Sequence, residues 1–310
     1  MADWTAADMP DQHGRVVLVT GASSGLGLRS AEALVVKGAR VVLGCRNPVK
    51  ADAALARVRS LSTGPEPELL AIDLASLASV RSAAAEVEAR FHHLDVLMNN
   101  AGIMAVPKAS TEDGLESQIA TNHLGHFALT GLLLPRLLAA PSPRVVSVSS
   151  NAHRMGKVDP DDLSFERRRY SRWSAYGQTK LANLLFSSEL QRRAVDHGTD
   201  LVAAAAHPGY AATNLTSGPA TGAAFLRPLL AVGDRLVGQP DHLGALPQLY
   251  VATMPDVQPD DYWGPDSWRE QRGYPTRVGR SERARDPEVA RRLWERSEQL
   301  TGVTYPWPAA

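Results

Sequence analysis

The chain has 310 residues, 44% of them hydrophobic and 6% aromatic, a size that a single α/β domain can reach. Its 33 basic residues balance 33 acidic ones, which excludes a nucleic-acid footprint and a polybasic membrane surface. The single cysteine, Cys45, excludes an intrachain disulfide and favours a reducing compartment. Residues 1–12 carry acids and neither a basic nor an apolar leader, and no apolar run approaches a membrane span. A soluble, cytoplasmic protein with no membrane partner is expected.

In chain order, residues 15–20 form a short apolar run, the pattern of a strand buried on both faces. A glycine-rich segment, 21–27, leads to a helical stretch at 28–37 that Gly38 closes, and a second strand follows at 40–44. This is a β-α-β unit of about 30 residues. The alternation continues with helix 49–61, strand 68–72, an Ala-rich helix 77–91 and strand 94–98. A long helix at 115–138, with Pro135 near its end or at a kink, precedes strand 144–148, helix 176–195 and strand 201–205. Such alternation predicts a doubly wound α/β fold, a parallel sheet covered on both sides, as one domain with its core over about 14–206. Beyond it, 208–240 is expected to cover the carboxyl edge of the strands as a lid, against the plainer reading of a surface excursion. A C-terminal extension of about 255–310 ends in a helix at 287–300, where Trp263, Trp268 and Trp294 are expected to anchor the core.

Gly21, Gly25 and Gly27 stand between an apolar strand and a helix that leads to a second strand. Glycine lets backbone approach a ligand, and a helix N-terminus favours phosphate oxygens. The spacing Gly-x-x-x-Gly-x-Gly, with no Lys-Ser/Thr after it, points to a dinucleotide rather than ATP. At the end of the second strand an acid would bind the adenosine ribose, whereas an arginine would accommodate a 2′-phosphate. The sequence there reads Gly44-Cys45-Arg46-Asn47, so NADP(H) is favoured over NAD(H). Arg46 also fits a solvated loop position.

Tyr176 and Lys180, four residues apart in a helix-favouring stretch, leave one face of a helix. A free phenol titrates near ~10, and bringing it to about 7 takes roughly three units, or ~4 kcal/mol. One lysine would struggle to supply that; lysine with the positive ring of an oxidised nicotinamide could. Taken alone, the pair also fits an exposed hydrogen bond on any amphipathic helix.

With these pieces in order, the chain resembles the short-chain dehydrogenase/reductase (SDR) family, whose dinucleotide-binding domain is a Rossmann fold. The carrying motifs are Thr20-Gly-Ala-Ser-Ser-Gly-Leu-Gly27, Asn99-Asn-Ala-Gly102, Asn122 in Thr-Asn-His-Leu-Gly, Ser149-Ser150, Tyr176-x-x-x-Lys180 and Pro208-Gly209, over residues 15–215. Within it, Gly-Cys-Arg-Asn, Asn122-His-Leu-Gly-His-Phe127, Ser-Ser-Asn-Ala-His153 and Lys180-Leu-Ala-Asn183 resemble the retinol dehydrogenase-like branch. The resemblance implies that Tyr176 is the general acid of carbonyl reduction, or the base of the reverse reaction. Lys180 would lower its pKa and bond the nicotinamide ribose, Ser150 would hold the substrate oxygen, and Asn122 would support a water relay to the lysine. It implies that Gly21, Ser23, Ser24, Gly25, Leu26 and Gly27 cradle the cofactor, with Arg46, Asp73 and Leu74 towards the adenine. Asn99, Ala101 and Gly102 would lie along the ribose, and Pro208, Gly209 and Thr213 by the nicotinamide.

Two positions depart from the family pattern. Some members that use the phosphorylated cofactor carry a basic residue where this chain has Ser24. The 25 residues between Ser150 and Tyr176 are about twice the interval common in the wider family. Glu166 and the arginines at 167–169 and 172 read as a solvated face, with substrate gating as the alternative.

His123 and His126 have the spacing of a metal pair but no third ligand nearby, so no metal is expected and packing beside the cofactor is the better reading. A Ser/His hydrolase is disfavoured because Gly-x-Ser-x-Gly is absent around Ser150. The resemblance therefore implies an NADP(H)-dependent oxidoreductase whose partner is a small-molecule aldehyde or ketone, and the apolar lid candidate suggests a hydrophobic one. A homo-oligomer is left open. The competing readings are a non-catalytic NADP-binding regulator or scaffold, and an epimerase or C=C reductase on the same fold.

Overall fold

Val16–Thr20 form strand β1, and all five residues are buried, as the apolar run predicts for the centre of a covered parallel sheet. The computed structural model describes residues 3–209, 239–267 and 269–308; Thr213, Trp268 and most of the expected lid lie outside them. After β1 come α1 (Gly25–Val36), β2 (Arg40–Cys45), α2 (Pro48–Arg59), β3 (Glu68–Ala71), α3 (Leu77–Arg90) and β4 (Val96–Asn99). A short turn of helix, Ser117–Ile119, and a π-helical stretch, Ala120–Leu124, run into α4 (Gly125–Leu138), with Pro135 in its last turn. The chain then forms β5 (Arg144–Val148), α5 (Arg172–Asp196), β6 (Val202–Ala206), α6 (Leu246–Thr253), β7 (Tyr262–Ser267), β8 (Arg272–Arg277) and α7 (Pro287–Thr301). The result is a single α/β domain.

The strands lie in the order β3-β2-β1-β4-β5-β6-β7-β8. β1 to β6 pair in parallel, β7 joins β6 in parallel, and β8 returns antiparallel to β7. Alternate residues of β1 feed two separate cores. Val17 and Val19 pack with Leu34, Val35 and Leu249 on one face, and Val16 and Leu18 with Leu129, Leu133 and Leu190 on the other. This division covers both faces and leaves the carboxyl ends of the strands free to form a site.

One strand expectation and one helix boundary are corrected. β7 and β8 were read only as part of an extension, because Gly264, Pro265, Gly273 and Pro275 are poor strand residues. The hairpin accommodates them at an edge, with an irregularity between Pro265 and Ser267. Helix α1 starts at Gly25 rather than Leu28, since extended Ser24 already stands at the N-cap and glycine hides a helix start from propensity.

The C-terminal helix shows clear punctuation. Asp286 accepts hydrogen bonds from the Glu288 and Val289 amides, Pro287 opens the helix, and Gly302 closes it at φ +60°. Trp294 meets Phe127 of α4 edge-on at 5.0 Å, stacks on Phe186 of α5 at 5.9 Å, and contacts Tyr305 at 4.3 Å. Trp263 is likewise buried, stacked on Tyr250 at 4.2 Å. Both tryptophans anchor the core. Among the described residues no helix is long and apolar enough to cross a membrane.

Candidate active site

Strand order reverses between β1 and β4, and a crevice of about 330 Å³ opens at their carboxyl ends. Gly21, Ser23, Ser24, Gly25, Leu26 and Gly27 line one part of it, and Arg46, Asp73 and Leu74 another. Ala101, Gly102, Tyr176, Lys180 and Pro208 complete the wall with Asn100, Ile103 and Lys50. A larger cavity, about 460 Å³, lies between α5 and the β7–β8 side, where Arg192, Arg277 and Arg280 are paired with Glu189, Asp261 and Asp260. Its charges are spent on one another.

The glycine loop owes its composition first to its own packing. A Cβ on Gly21, which sits at φ +68°, would come within 2.9 Å of Ala101 Cα, and one on Gly27 within 2.5 Å of the Gly21 carbonyl. The Ser24 side chain makes no capping hydrogen bond, so the first-turn amides of α1 are left for an anion in the crevice. At the end of β2, Arg46 Nη1 lies 3.9 Å from Asp73 Oδ1. Lys50, in the first turn of α2, adds a second cation to this wall. No motif in the sequence marks Lys50, because its place depends on the fixed entry of α2, where Asn47 accepts the Lys50 amide at 3.0 Å.

Asn99 is corrected. It is buried, with Nδ2 donating to Thr130 Oγ1 at 3.0 Å, because alternate strand residues face opposite sides. The neighbouring Asn100 reaches the crevice and donates to the Thr20 carbonyl at 2.7 Å. Thr20, the first residue of the glycine motif, organises this turn, its hydroxyl accepting the Asn100 and Ala101 amides, both at 3.0 Å. His126 Nε2 lies 2.9 Å from the same hydroxyl, and His123 Nε2 lies 3.0 Å from Ser297 Oγ, which places both histidines in packing roles. Among the described residues there is no cluster fit for a metal ion.

Asn122 sits in the π-helical stretch, fully buried. Its Oδ1 accepts the Ile103 amide at 2.8 Å, and its Nδ2 donates to the Ile103 carbonyl at 2.9 Å and Thr179 Oγ1 at 3.0 Å. A Cβ on Gly102 would lie 3.2 Å from Asn122 Oδ1 and 3.7 Å from Lys180 Nζ, so glycine keeps the space between them open.

Tyr176 and Lys180 leave one face of α5, with Nζ 5.7 Å from the centre of the phenol ring. The ammonium donates to the Val148 carbonyl at 3.1 Å, and burial pushes its pKa down to about 8. Burial pushes the Tyr176 phenol up to about 12, against a lowering by the Ser150 hydroxyl, its side-chain hydrogen-bond partner. Desolvation is the largest influence on the phenol, and the ammonium gives its hydrogen bond to a backbone carbonyl.

Ser150 caps the turn Asn151–Met155, its Oγ accepting the Ala152 amide at 3.2 Å. Pro208 lines the crevice, but Gly209 is packed outward, where a Cβ would meet the Gln271 carbonyl at 2.3 Å. Arg168 also departs from the solvated-face reading. It pairs with Asp162 at 2.9 Å and donates to Gln178 Oε1 at 2.9 Å, bracing the segment before Tyr176.

Comparison with known proteins places the chain in a class of oxidoreductases. The short chain dehydrogenase family model matches residues 15–221, and the chain belongs to that family. It falls in the retinol dehydrogenase-like branch. It is 38% identical over 294 residues to Retinol dehydrogenase 13 of Homo sapiens, covering 94% of this chain and 86% of that protein. Retinol dehydrogenase 14 of Homo sapiens is 39% identical over 306 residues, covering 94% and 87%. A crystal structure of an uncharacterized protein from Mycobacterium paratuberculosis matches at 45% identity and a TM-score of 0.82, covering 98% of this chain and 100% of that one.

Proposed function

We propose that the protein is an NADP(H)-dependent carbonyl reductase acting on hydrophobic aldehydes or ketones, with the reverse alcohol oxidation available at the same site. The observation that carries this reading is the Ser150–Tyr176 hydroxyl pair beside Lys180 at one end of a crevice whose other parts offer amides and cations. The crevice suits a dinucleotide. A glycine cradle and the open amides of α1 accept a pyrophosphate, and Arg46 and Lys50, with no acid at the end of β2, accept a 2′-phosphate.

Bound there, the cofactor supplies the hydride that reduces the carbonyl carbon. Ser150 holds the substrate oxygen by a hydrogen bond. Tyr176, kept protonated by burial, donates its phenolic proton to that oxygen as negative charge develops, and regains one from solvent. Lys180 faces Gly102 and Asn122 and would hold the cofactor's ribose by a hydrogen bond, while Asn122 holds Ile103 at the crevice wall.

Support for a hydrophobic substrate comes from Trp173, half exposed and edge-on to Tyr176 at 6.1 Å, and from relatives named for retinol. The test is NADPH oxidation with a panel of aldehydes and ketones of increasing chain length. Turnover that rises with chain length and is lost in Tyr176→Phe, with NADPH still bound, supports the reading. Turnover of none of the panel by a wild-type protein that binds NADPH would contradict it.

A further inference from the structure

The sheet hairpin missed in the sequence carries a carboxylate aimed at the back of the site. Glu270 lies in the turn between β7 and β8, at φ +61°, next to Arg269 at φ +57°. Two consecutive non-glycine residues in the left-handed region are uncommon, and such backbone persists where the surroundings hold it. What holds it here is a set of bonds to two other loops. Arg154 Nη2 donates to Glu270 Oε1 at 3.1 Å and to Oε2 at 3.3 Å. Asn151 Nδ2 donates to the Glu270 carbonyl at 3.3 Å. His207 Nε2 lies 3.3 Å from Glu270 Oε2.

The histidines fix the directions of these contacts. The Gly209 amide donates to His207 Nδ1 at 3.2 Å, so the remaining ring proton sits on Nε2 and faces Glu270. His153 Nδ1 lies 2.7 Å from the Ser150 carbonyl, which can only accept, so Nδ1 carries the proton. His153 and His207 flank the Tyr262 ring at 5.7 Å and 5.2 Å. Arg154, Asn151 and His153 thus belong to the turn that begins at Ser150, and His207 to the exit of β6.

We infer that Glu270 is a positioning residue: it fastens the Ser150 turn to the β6 exit and thereby aims the Ser150 hydroxyl at Tyr176. The Ser150 hydroxyl caps that same turn, so a change in the turn redirects the hydroxyl. Pro208 has an independent tether. Gln239 Nε2 donates to the Pro208 carbonyl at 2.6 Å and Gln239 Oε1 accepts the Gly273 amide at 3.1 Å. Loss of Glu270 therefore acts on the serine side of the crevice and spares the cofactor side. The inference rests on the reductase reading above for its effect on turnover, but not for its effect on the turn.

The test compares Glu270→Ala, Glu270→Gln and Arg154→Met in the full chain. Two readouts are taken: turnover of the best aldehyde of the panel with NADPH, and amide hydrogen exchange at 150–156 without substrate. Glu270→Ala is expected to lower kcat at least tenfold, with NADPH Kd within threefold of wild type and faster exchange at 150–156. Arg154→Met is expected to do the same more weakly. Glu270→Gln, which keeps an acceptor for Arg154 and His207, is expected to recover most of the activity. Unchanged exchange at 150–156 in both Glu270→Ala and Arg154→Met overturns the inference, whether or not the wild type turns over. So does an equal loss of kcat and NADPH affinity in Ala and Gln alike, the mark of a general packing defect. If no aldehyde is reduced by wild type but exchange rises as stated, the positioning claim stands and the reductase reading falls.

Discussion

Tyr176 and Lys180 stand one helical turn apart, yet the ammonium gives its hydrogen bond to the Val148 carbonyl at 3.1 Å, with the phenol ring centre 5.7 Å away. The two groups are buried neighbours rather than a closed ion pair. Burial governs both, raising the phenol to about 12 and lowering the ammonium to about 8. In the free protein the phenol therefore stays protonated through the alkaline range in which an exposed tyrosine ionises, near ~10. Tyrosine NMR with a ring-carbon label, assigned by comparing wild type with Tyr176→Phe, should show the Tyr176 signal unshifted at pH 10. A midpoint at or below 10 would mean that the lysine outweighs desolvation.

Lys180 should cost stability. Its folded pKa of about 8 lies below the ordinary 10.5, so between those values the unfolded chain binds the extra proton. The cost is full below about pH 8 and fades as pH rises towards 10.5. Lys180→Met should gain roughly 1–3 kcal/mol at neutral pH, with a smaller gain at pH 10. Val148 keeps a partner, since Asn183 Nδ2 donates to the same carbonyl at 3.0 Å. Denaturant unfolding at the two pH values measures this, and a variant less stable than wild type at pH 7 would refute it. Turnover should be lost in the same variant.

Arg46 and Lys50 should set the choice of cofactor. Removing either charge is expected to weaken NADPH binding by about five- to thirtyfold while leaving NADH within about twofold, since each charge-assisted bond to a phosphate is worth roughly 1–2 kcal/mol at an open site. The double variant should approach equal affinity for the two. Equal losses for NADPH and NADH would show that the pair acts on the shared part of the cofactor.

Asn122→Ala strips partners from the Ile103 amide and carbonyl and from Thr179. A loss of about 1–3 kcal/mol in stability is expected from the unpaired buried groups. Because Ile103 lines the crevice, KM or NADPH affinity should worsen as well. A variant with wild-type stability and wild-type kinetics would remove Asn122 from the site.

Much of this was legible in the sequence because the chemistry sits on regular elements. An apolar strand, a glycine loop and a helix fix α1 and its amides, and helical spacing alone puts Tyr176 and Lys180 on one face. Asn99 and Asn100 could not be told apart in this way. Which of two adjacent residues faces the crevice depends on the phase of β4, and both are asparagine. Lys50 and Glu270 lie in no distinctive local pattern, because Lys50 owes its place to the entry of a helix and Glu270 to contacts with Asn151 and Arg154 more than a hundred residues away. The hairpin that carries Glu270 was concealed by its own glycines and prolines.

The central claim is that Tyr176 delivers a proton while hydride passes to a carbonyl in this crevice. It is tested most directly with NADPH deuterated at the nicotinamide C4, in separate preparations carrying the label on each face, and an apolar aldehyde. The account predicts one deuterium on the carbinol carbon of the alcohol from one preparation and not the other, with the label absent from product in Tyr176→Phe. NADPH bound tightly by the wild type with no deuterium in any product would contradict it, and would point to a regulator built on a reductase frame.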